Sequence, residues 1–195
     1  MLYKTILADP PWPYKSPRAL VGTGGRGAVA NVAELKQVDV LQHYPVLSID
    51  ALKSLSVEAL ADTNAHLYLW TTNSFLVEAH EICRAWGFTP KTVLTWVKTK
   101  KNKPADTSMK CGYWYRSASE HCVFAVRGRL RLSGLPFPTA FLHERLPHSV
   151  KPDYFYQVIE DHSPGPYLEL FARRPREGWD RWGNEVISTV DILKR

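Results

Sequence analysis

The sequence predicts an α/β fold built on a largely parallel sheet, and three observations carry that expectation. Short apolar segments rich in aromatic and β-branched residues recur along the chain, and segments of helical period lie between several of them. The chain has 195 residues, 45% of them hydrophobic, with seven Trp, which suits one domain with a substantial core. No internal repeat or low-complexity tract marks a second domain, so residues 1–195 are read as a single unit.

Tyr3 to Ala8 reads as a buried strand that feeds the turn Asp9-Pro10-Pro11-Trp12. Residues 13–45 then lose all periodicity. Gly22, Gly24, Gly25 and Gly27 crowd together with Arg18, Arg26 and Lys36, which predicts either a mobile loop, a flap over a binding site, or a plainly disordered stretch. The cluster lacks the Gly-Lys-Ser/Thr ending of a phosphate-binding loop, and that reading is rejected. Ser48 is placed to cap a helix through Ile49, Leu52 and Leu55, with Leu60 its outer limit. Ala65 to Thr71 is apolar throughout and predicts a central strand.

Ser74 to Trp86 sets Phe75, Ala79, Ile82 and Trp86 on one helical face, and Gly87 closes it. Thr92 to Lys98 and Glu120 to Val126 are strands by composition. Between them Lys98, Lys100, Lys101, Lys103, Lys110 and Arg116 form a basic loop interleaved with Tyr113, Trp114 and Tyr115. Arg127, Arg129 and Arg131 alternate as on an edge strand or hairpin. Pro152 starts a helix that ends before Ser163-Pro164-Gly165, Tyr167 to Ala172 is a strand, and Trp179 to Val186 closes the fold.

The Asp9-Pro10-Pro11-Trp12 turn has a direct chemical reading. Two consecutive prolines fix the backbone and donate no N–H, so the turn is stiff and its carbonyls remain acceptors. Asp9 adds a carboxylate and Trp12 a flat apolar surface. Such an acceptor pair beside an aromatic plate suits a planar base carrying an exocyclic amino group, held so that the amine is aimed at an electrophile. Ligands of open α/β sheets bind beyond the carboxyl ends of strands, where this turn stands.

Net charge is +6, which favours a polyanionic partner. Cations interleaved with aromatics suit phosphate contacts and base stacking, so Tyr14, Lys98, Lys100, Lys101, Lys110, Tyr113 and Arg116 are the candidate nucleic-acid contacts. Cys83, Cys111 and Cys122 show no CxxC spacing, and His143 and His148 have no companion at metal spacing, so neither a disulfide framework nor a metal is expected. No apolar run approaches membrane-spanning length, and a soluble cytoplasmic protein is expected.

The ordered motifs Asp9-Pro-Pro-Trp12, Glu120-His-Cys122, His148-Ser-Val-Lys-Pro-Asp153, Ser163-Pro-Gly165, Glu169-Leu-Phe171 and Gly183-Asn184 together resemble the seventy-kilodalton-subunit (MT-A) family of adenine N(6) methyltransferases. The resemblance covers nearly the whole chain. It implies a Rossmann-like methyltransferase sheet with permuted motif order, in which the catalytic turn precedes the cofactor segment. Only eight residues stand before Asp9, which fits that order. It implies S-adenosylmethionine as cofactor, with S-adenosylhomocysteine as product.

By the same resemblance Asp9, Pro10, Pro11 and Trp12 are catalytic. Asp9 and the Pro10 carbonyl accept the adenine amino hydrogens and Trp12 stacks on or walls the base. The cofactor contacts it implies are Ala8, Asp9, Ser149, Lys151, Glu169, Leu170, Phe171, Arg173, Asn184 and Glu185, with Lys151 meeting the methionine carboxylate at a helix start. Ala172-Arg173-Arg174-Pro175 follows Phe171 where many amino-methyltransferases carry a glycine-rich turn, and Glu185 stands where relatives can have an amide.

The expected activity is methylation of the adenine 6-amino group in nucleic acid, DNA before RNA because the chain is compact and shows no appended RNA-binding module. Two alternatives stand beside it: a non-catalytic nucleic-acid-binding subunit of a methyltransferase complex, and an amino-methyltransferase acting on cytosine or a protein glutamine. A homodimer or heterodimer is compatible with either.

Overall fold

The computed structural model describes residues 1–14, 29–30, 46–109, 115–147 and 150–192. The loop expected over 13–45 lies almost wholly outside the described residues, as do Lys110, Tyr113 and Ser149. Strands β1 (Tyr3–Ala8), β4 (Ala61–Thr71), β5 (Thr89–Lys100), β6 (Lys103–Thr107), β7 (Ser119–Arg127), β8 (Ala140–Glu144), β9 (Tyr167–Leu170) and β10 (Trp179–Trp182) form one sheet. Its order is β10-β9-β1-β4-β7-β5-β6, with β8 paired to β5. A two-residue pair, β2 (Val29–Ala30) with β3 (Val46–Leu47), stands apart.

Six of the eight strands run in one direction, because β1 is parallel to β4 and β9, β9 to β10 and β5 to β8, while β5 and β4 both oppose β7. The largely parallel sheet is therefore present, with one reversal at its centre. β7 follows β5 and the short strand β6 and pairs antiparallel with β5, with no helix between them among the described residues. β1 lies where the connections turn to opposite sides, since within this sheet the chain goes first to β4 on one side and only at the end to β9 and β10 on the other. That switch point is where α/β sheets place ligands.

Two apolar layers sandwich the sheet. Ile6, Ala8, Leu67, Leu69, Leu168 and Leu170 face one core with Trp12, Ile82 and Trp86, under helices α1 (Ile49–Lys53), α2 (Val57–Leu60) and α3 (Leu76–Ala85). Leu7, Tyr68, Trp70, Leu94, Trp96 and Phe124 face the other, under α4 (Tyr154–His162) through Phe155, Tyr156 and Ile159. This alternation follows the two-residue period of strands.

The Ser48 cap forms, its hydroxyl accepting from Ala51 N at 3.1 Å, but the helix stops at Lys53 and restarts at Val57. The segment expected to be helical from Ser74 is a 3₁₀ turn over Asn73–Phe75 followed by α3, and Gly87 closes it at φ +80°. β6 and β8 are strands that composition did not announce. β6 is wholly exposed and carries Pro104, and in β8 only Phe141 is buried, so neither shows a periodic apolar face. Arg127 ends the central strand β7 and bonds Glu58, which corrects its reading as an edge residue. Arg129 and Arg131 follow in the loop.

Candidate active site

The carboxyl ends of β1, β4, β5, β9 and β10 meet the amino end of β7 along one rim of the sheet. Asp9 stands at that rim directly after β1, its N–H donating to Leu170 O at 3.4 Å. Because Leu7 faces α4, so does Asp9. Lys151, just before α4, donates to Asp9 Oδ2 at 2.6 Å and lies 3.5 Å from Glu120 Oε2. Glu120 Oε1 accepts in turn from Lys98. The four groups make a line of alternating sign: Asp9, Lys151, Glu120, Lys98.

Aromatic planes floor this line. Lys151 Nζ is 5.4 Å from the Trp70 ring centre and Lys98 Nζ is 4.5 Å from that of Trp96. Burial works to lower the Lys151 ammonium, yet the carboxylates of Asp9 and Glu120 outweigh it and its pKa is raised. Burial likewise works to raise Glu120, and the two lysines hold it below its ordinary value. For Lys98 burial wins and the pKa is lowered, Glu120 offsetting only part.

Trp12 turns inward. It is 7% exposed, its ring stacks on Phe75 at 5.2 Å and its Nε1 donates to Trp70 O at 3.1 Å. The indole thus anchors the turn onto β4, and the exposed aromatic beside it is Tyr14, edge-on to Phe75 with its hydroxyl bonded to Thr72. Pro10 is buried, and the Pro11 carbonyl accepts from Leu47 N at 3.3 Å.

At the end of β9 the Glu169 carboxylate accepts from Tyr156 Oη at 2.8 Å. Burial raises its pKa to about 7, the Tyr156 bond opposing and the Asp9 charge adding. Glu169 lines a cavity of about 650 Å³ with Asp153, Tyr156, Glu160, Arg174 and Arg176. Only residues 171–178 join β9 to β10, without a helix, and Phe171 turns the chain at φ +63°. Gly183 passes so close to Ala172 that a Cβ there would meet Ala172 O at 2.2 Å. That contact brings Asn184 and Glu185 beside the Phe171–Arg173 turn, where Arg173 Nη1 is 3.9 Å from Glu185 Oε1.

Asp9, Lys151 and Glu169 thus gather on the α4 side of the rim, with Arg173, Asn184 and Glu185 at its β9–β10 end. Ala8, Leu170 and Phe171 are buried in the core, so what they offer a ligand is backbone. Lys98 departs from its expected place on an exposed basic loop. It falls on the inward face of β5 with Leu94 and Trp96, and is 9% exposed. Lys100, Lys101 and Arg116 are exposed, Lys100 pairing with Asp106 at 3.2 Å. Sequence reasoning gave Glu120 no role, although an acid at the head of the apolar run Cys122–Ala125 was the signal for one.

No group of His, Cys, Asp and Glu among the described residues is arranged to hold a metal ion. None of the helices among them is long and apolar enough to cross a membrane.

A sheet of this order with an acidic Pro-Pro turn over its switch point is a Rossmann-like methyltransferase fold. The MT-A70 family profile matches residues 3–185, and the chain belongs to that family, whose methyltransferases use S-adenosylmethionine. The chain is 26% identical over 187 residues to a putative N(6)-adenosine-methyltransferase MT-A70-like protein of Medicago truncatula, an alignment covering 94% of this chain and 26% of the relative. It is 26% identical over 189 residues to the N(6)-adenosine-methyltransferase catalytic subunit METTL3 of Homo sapiens, covering 94% and 28%. With the type II methyltransferase M.MunI of a Mycoplasma species it shares 27% identity over 201 residues, covering 94% and 78%. The chain therefore spans about a quarter of the length of the MT-A70-like relatives and most of M.MunI.

Proposed function

We propose that this chain transfers the methyl group of S-adenosylmethionine to the 6-amino group of adenine in nucleic acid, with DNA the favoured polymer. The observation that carries the reading is the Asp9 carboxylate at the end of β1, tied to Lys151 through Oδ2 while its other oxygen has no hydrogen bond among the described residues. That oxygen and the Pro10 carbonyl are acceptors for the two amino hydrogens. Holding both hydrogens directs the nitrogen lone pair away from the turn, and the carboxylate stabilises the positive charge that nitrogen gains during attack. No strong base is needed, because the nitrogen becomes acidic once methylated and its proton passes to water.

The residues present fit the cofactor. Bound there, it supplies an electrophilic methyl on a sulfonium. Lys151 is the group for the carboxylate of its methionine moiety, and Glu169, Arg173, Asn184 and Glu185 offer acceptors and a donor for ribose hydroxyls and the adenine ring. Tyr14, exposed at the rim, replaces Trp12 as the aromatic that stacks on the substrate base. One such stack returns about 1–3 kcal/mol, against a few kcal/mol to flip a base from a duplex, so single-stranded or opened substrate reacts more readily.

The match to the type II methyltransferase M.MunI, which covers 78% of that relative against about a quarter of the MT-A70-like ones, is what favours DNA over RNA. The deciding experiment supplies labelled S-adenosylmethionine with single- and double-stranded DNA and RNA, followed by mass spectrometry of nucleosides and of the protein. N(6)-methyladenine in DNA is expected. Label in RNA alone reassigns the polymer, and label in cytosine or glutamine overturns the substrate. Binding of S-adenosylhomocysteine without transfer to any polymer makes the chain a non-catalytic subunit, which can be a member of a homodimer or heterodimer.

A further inference from the structure

We infer that Lys98 is a positioning residue of this site, acting through Glu120 on Lys151, and not a contact to the nucleic-acid backbone. The sequence sets Lys98 in one basic run with Lys100 and Lys101, but the end of β5 divides the run, since burial stops after Thr99. Leu94, Trp96 and Lys98 share the buried face of β5, whereas Lys100 and Lys101 reach solvent. At 9% exposure the Lys98 ammonium cannot track a phosphate chain, and it is already bonded to Glu120.

Burying an ammonium is unfavourable unless a carboxylate answers it. Here Glu120 answers two: Oε1 binds Lys98 and Oε2 lies 3.5 Å from Lys151, which itself sits 2.6 Å from Asp9. Without Lys98 both oxygens of Glu120 turn to Lys151 and draw it off Asp9. Lys98 therefore sets how Lys151 is divided between Glu120 and the catalytic turn. Two consequences follow: Asp9 keeps its orientation, and Lys151 stays available to an incoming anion such as the methionine carboxylate. The rate consequence rests on the proposed methyl transfer, and the binding consequence on cofactor binding alone.

The test is a double-mutant cycle of Lys98→Met and Glu120→Gln, read both in single-turnover methyl transfer and in calorimetric affinity for S-adenosylhomocysteine. Misplacing a reacting group by about an ångström slows a reaction about a hundredfold, and Lys98→Met is expected to do so while weakening product binding about tenfold. In the Glu120→Gln background the same substitution changes either quantity by less than about threefold, since the residue it acts through is already neutral. Lys98→Arg, which keeps the charge on Glu120, restores most of both. Equal effects in the two backgrounds, or a loss confined to polymer KM, overturn the inference, as does an unaltered rate and affinity. Should Lys98→Met fail to fold, Lys98→Gln serves in the same cycle. If the unaltered protein binds the product but methylates nothing, the proposed function fails while the affinity cycle still decides the role of Lys98.

Discussion

Asp9 and Glu120 stand on either side of the Lys151 ammonium, with carboxylate oxygens 2.6 and 3.5 Å from it. One cation thus joins the turn after β1 to the head of β7 and to the start of α4. The turn is fixed from behind as well, by Trp12 on Phe75 and Trp70. A carboxylate held from both directions is pre-set to accept hydrogens from an amine without rearranging as charge forms.

Asp9→Ala is expected to lower single-turnover methyl transfer at least about a hundredfold, because the acceptor for the amino hydrogens and the stabilising charge are lost together. Asp9→Asn, which retains an acceptor oxygen without the charge, should lie between the two. A labelled-methyl assay ranks the three proteins, and activity undiminished in Asp9→Ala would remove the turn from the mechanism.

Trp12→Ala removes a buried indole and should destabilise the fold by about 3–5 kcal/mol in urea unfolding. Trp12→Phe keeps a ring on Phe75 but deprives Trp70 O of its donor, for a loss of about 1–3 kcal/mol. If Trp12 served chiefly as a stacking plate for the base, both substitutions would raise substrate KM and leave the unfolding midpoint in place.

How far these features were legible depends on how local their causes are. β1, β4, α3, β7 and β9 announce themselves because their apolar faces repeat with the period of their own backbone. β6 and β8 do not, since they exist only as partners for β5 and bury almost nothing. The Asp9 turn was readable from its prolines, but the direction of Trp12 was not, because Phe75 and Trp70, which receive it, lie more than sixty and nearly sixty residues away. Lys98 misled for a related reason: the residues on either side of it are a strand on one hand and a basic loop on the other, and only pairing with Glu120 decides which it joins.

The Glu169 carboxyl has an ordinary value of 4.5 and stands at about 7 in the folded protein, raised first by burial. Between those values the folded state holds more protons than the unfolded one, so this group makes stability fall as pH rises and withholds most above the folded value. Glu169→Gln removes the dependence. The stability of the variant relative to the parent should therefore grow from about pH 5 to about pH 8, approaching about 3 kcal/mol. Urea midpoints across that range check it, and a difference that shrinks with pH would reverse the assignment.

Gly183→Ala would set a Cβ 2.2 Å from Ala172 O and 2.8 Å from Ala172 N, both backbone atoms that cannot step aside. The ends of β9 and β10 must then separate, carrying Asn184 and Glu185 away from Arg173. Calorimetry should register at least about a tenfold loss of S-adenosylhomocysteine affinity, as expected when a binding group is displaced by about an ångström. Retained affinity would show that the cofactor does not bridge these two strand ends.

The exposed cations answer a different question from the buried ones. Lys101→Ala and Arg116→Ala should weaken DNA binding to a similar extent for all sequences, and each should reduce the slope of log K against log salt by about 1 if it contacts one phosphate. Lys98→Met should leave that slope unchanged, because the Lys98 charge is answered inside the protein by Glu120 and releases no counterion from DNA. Fluorescence anisotropy at several salt concentrations measures the slopes. A slope altered equally by all three substitutions would mean that the end of β5 does not separate the basic run into an interior and a surface part.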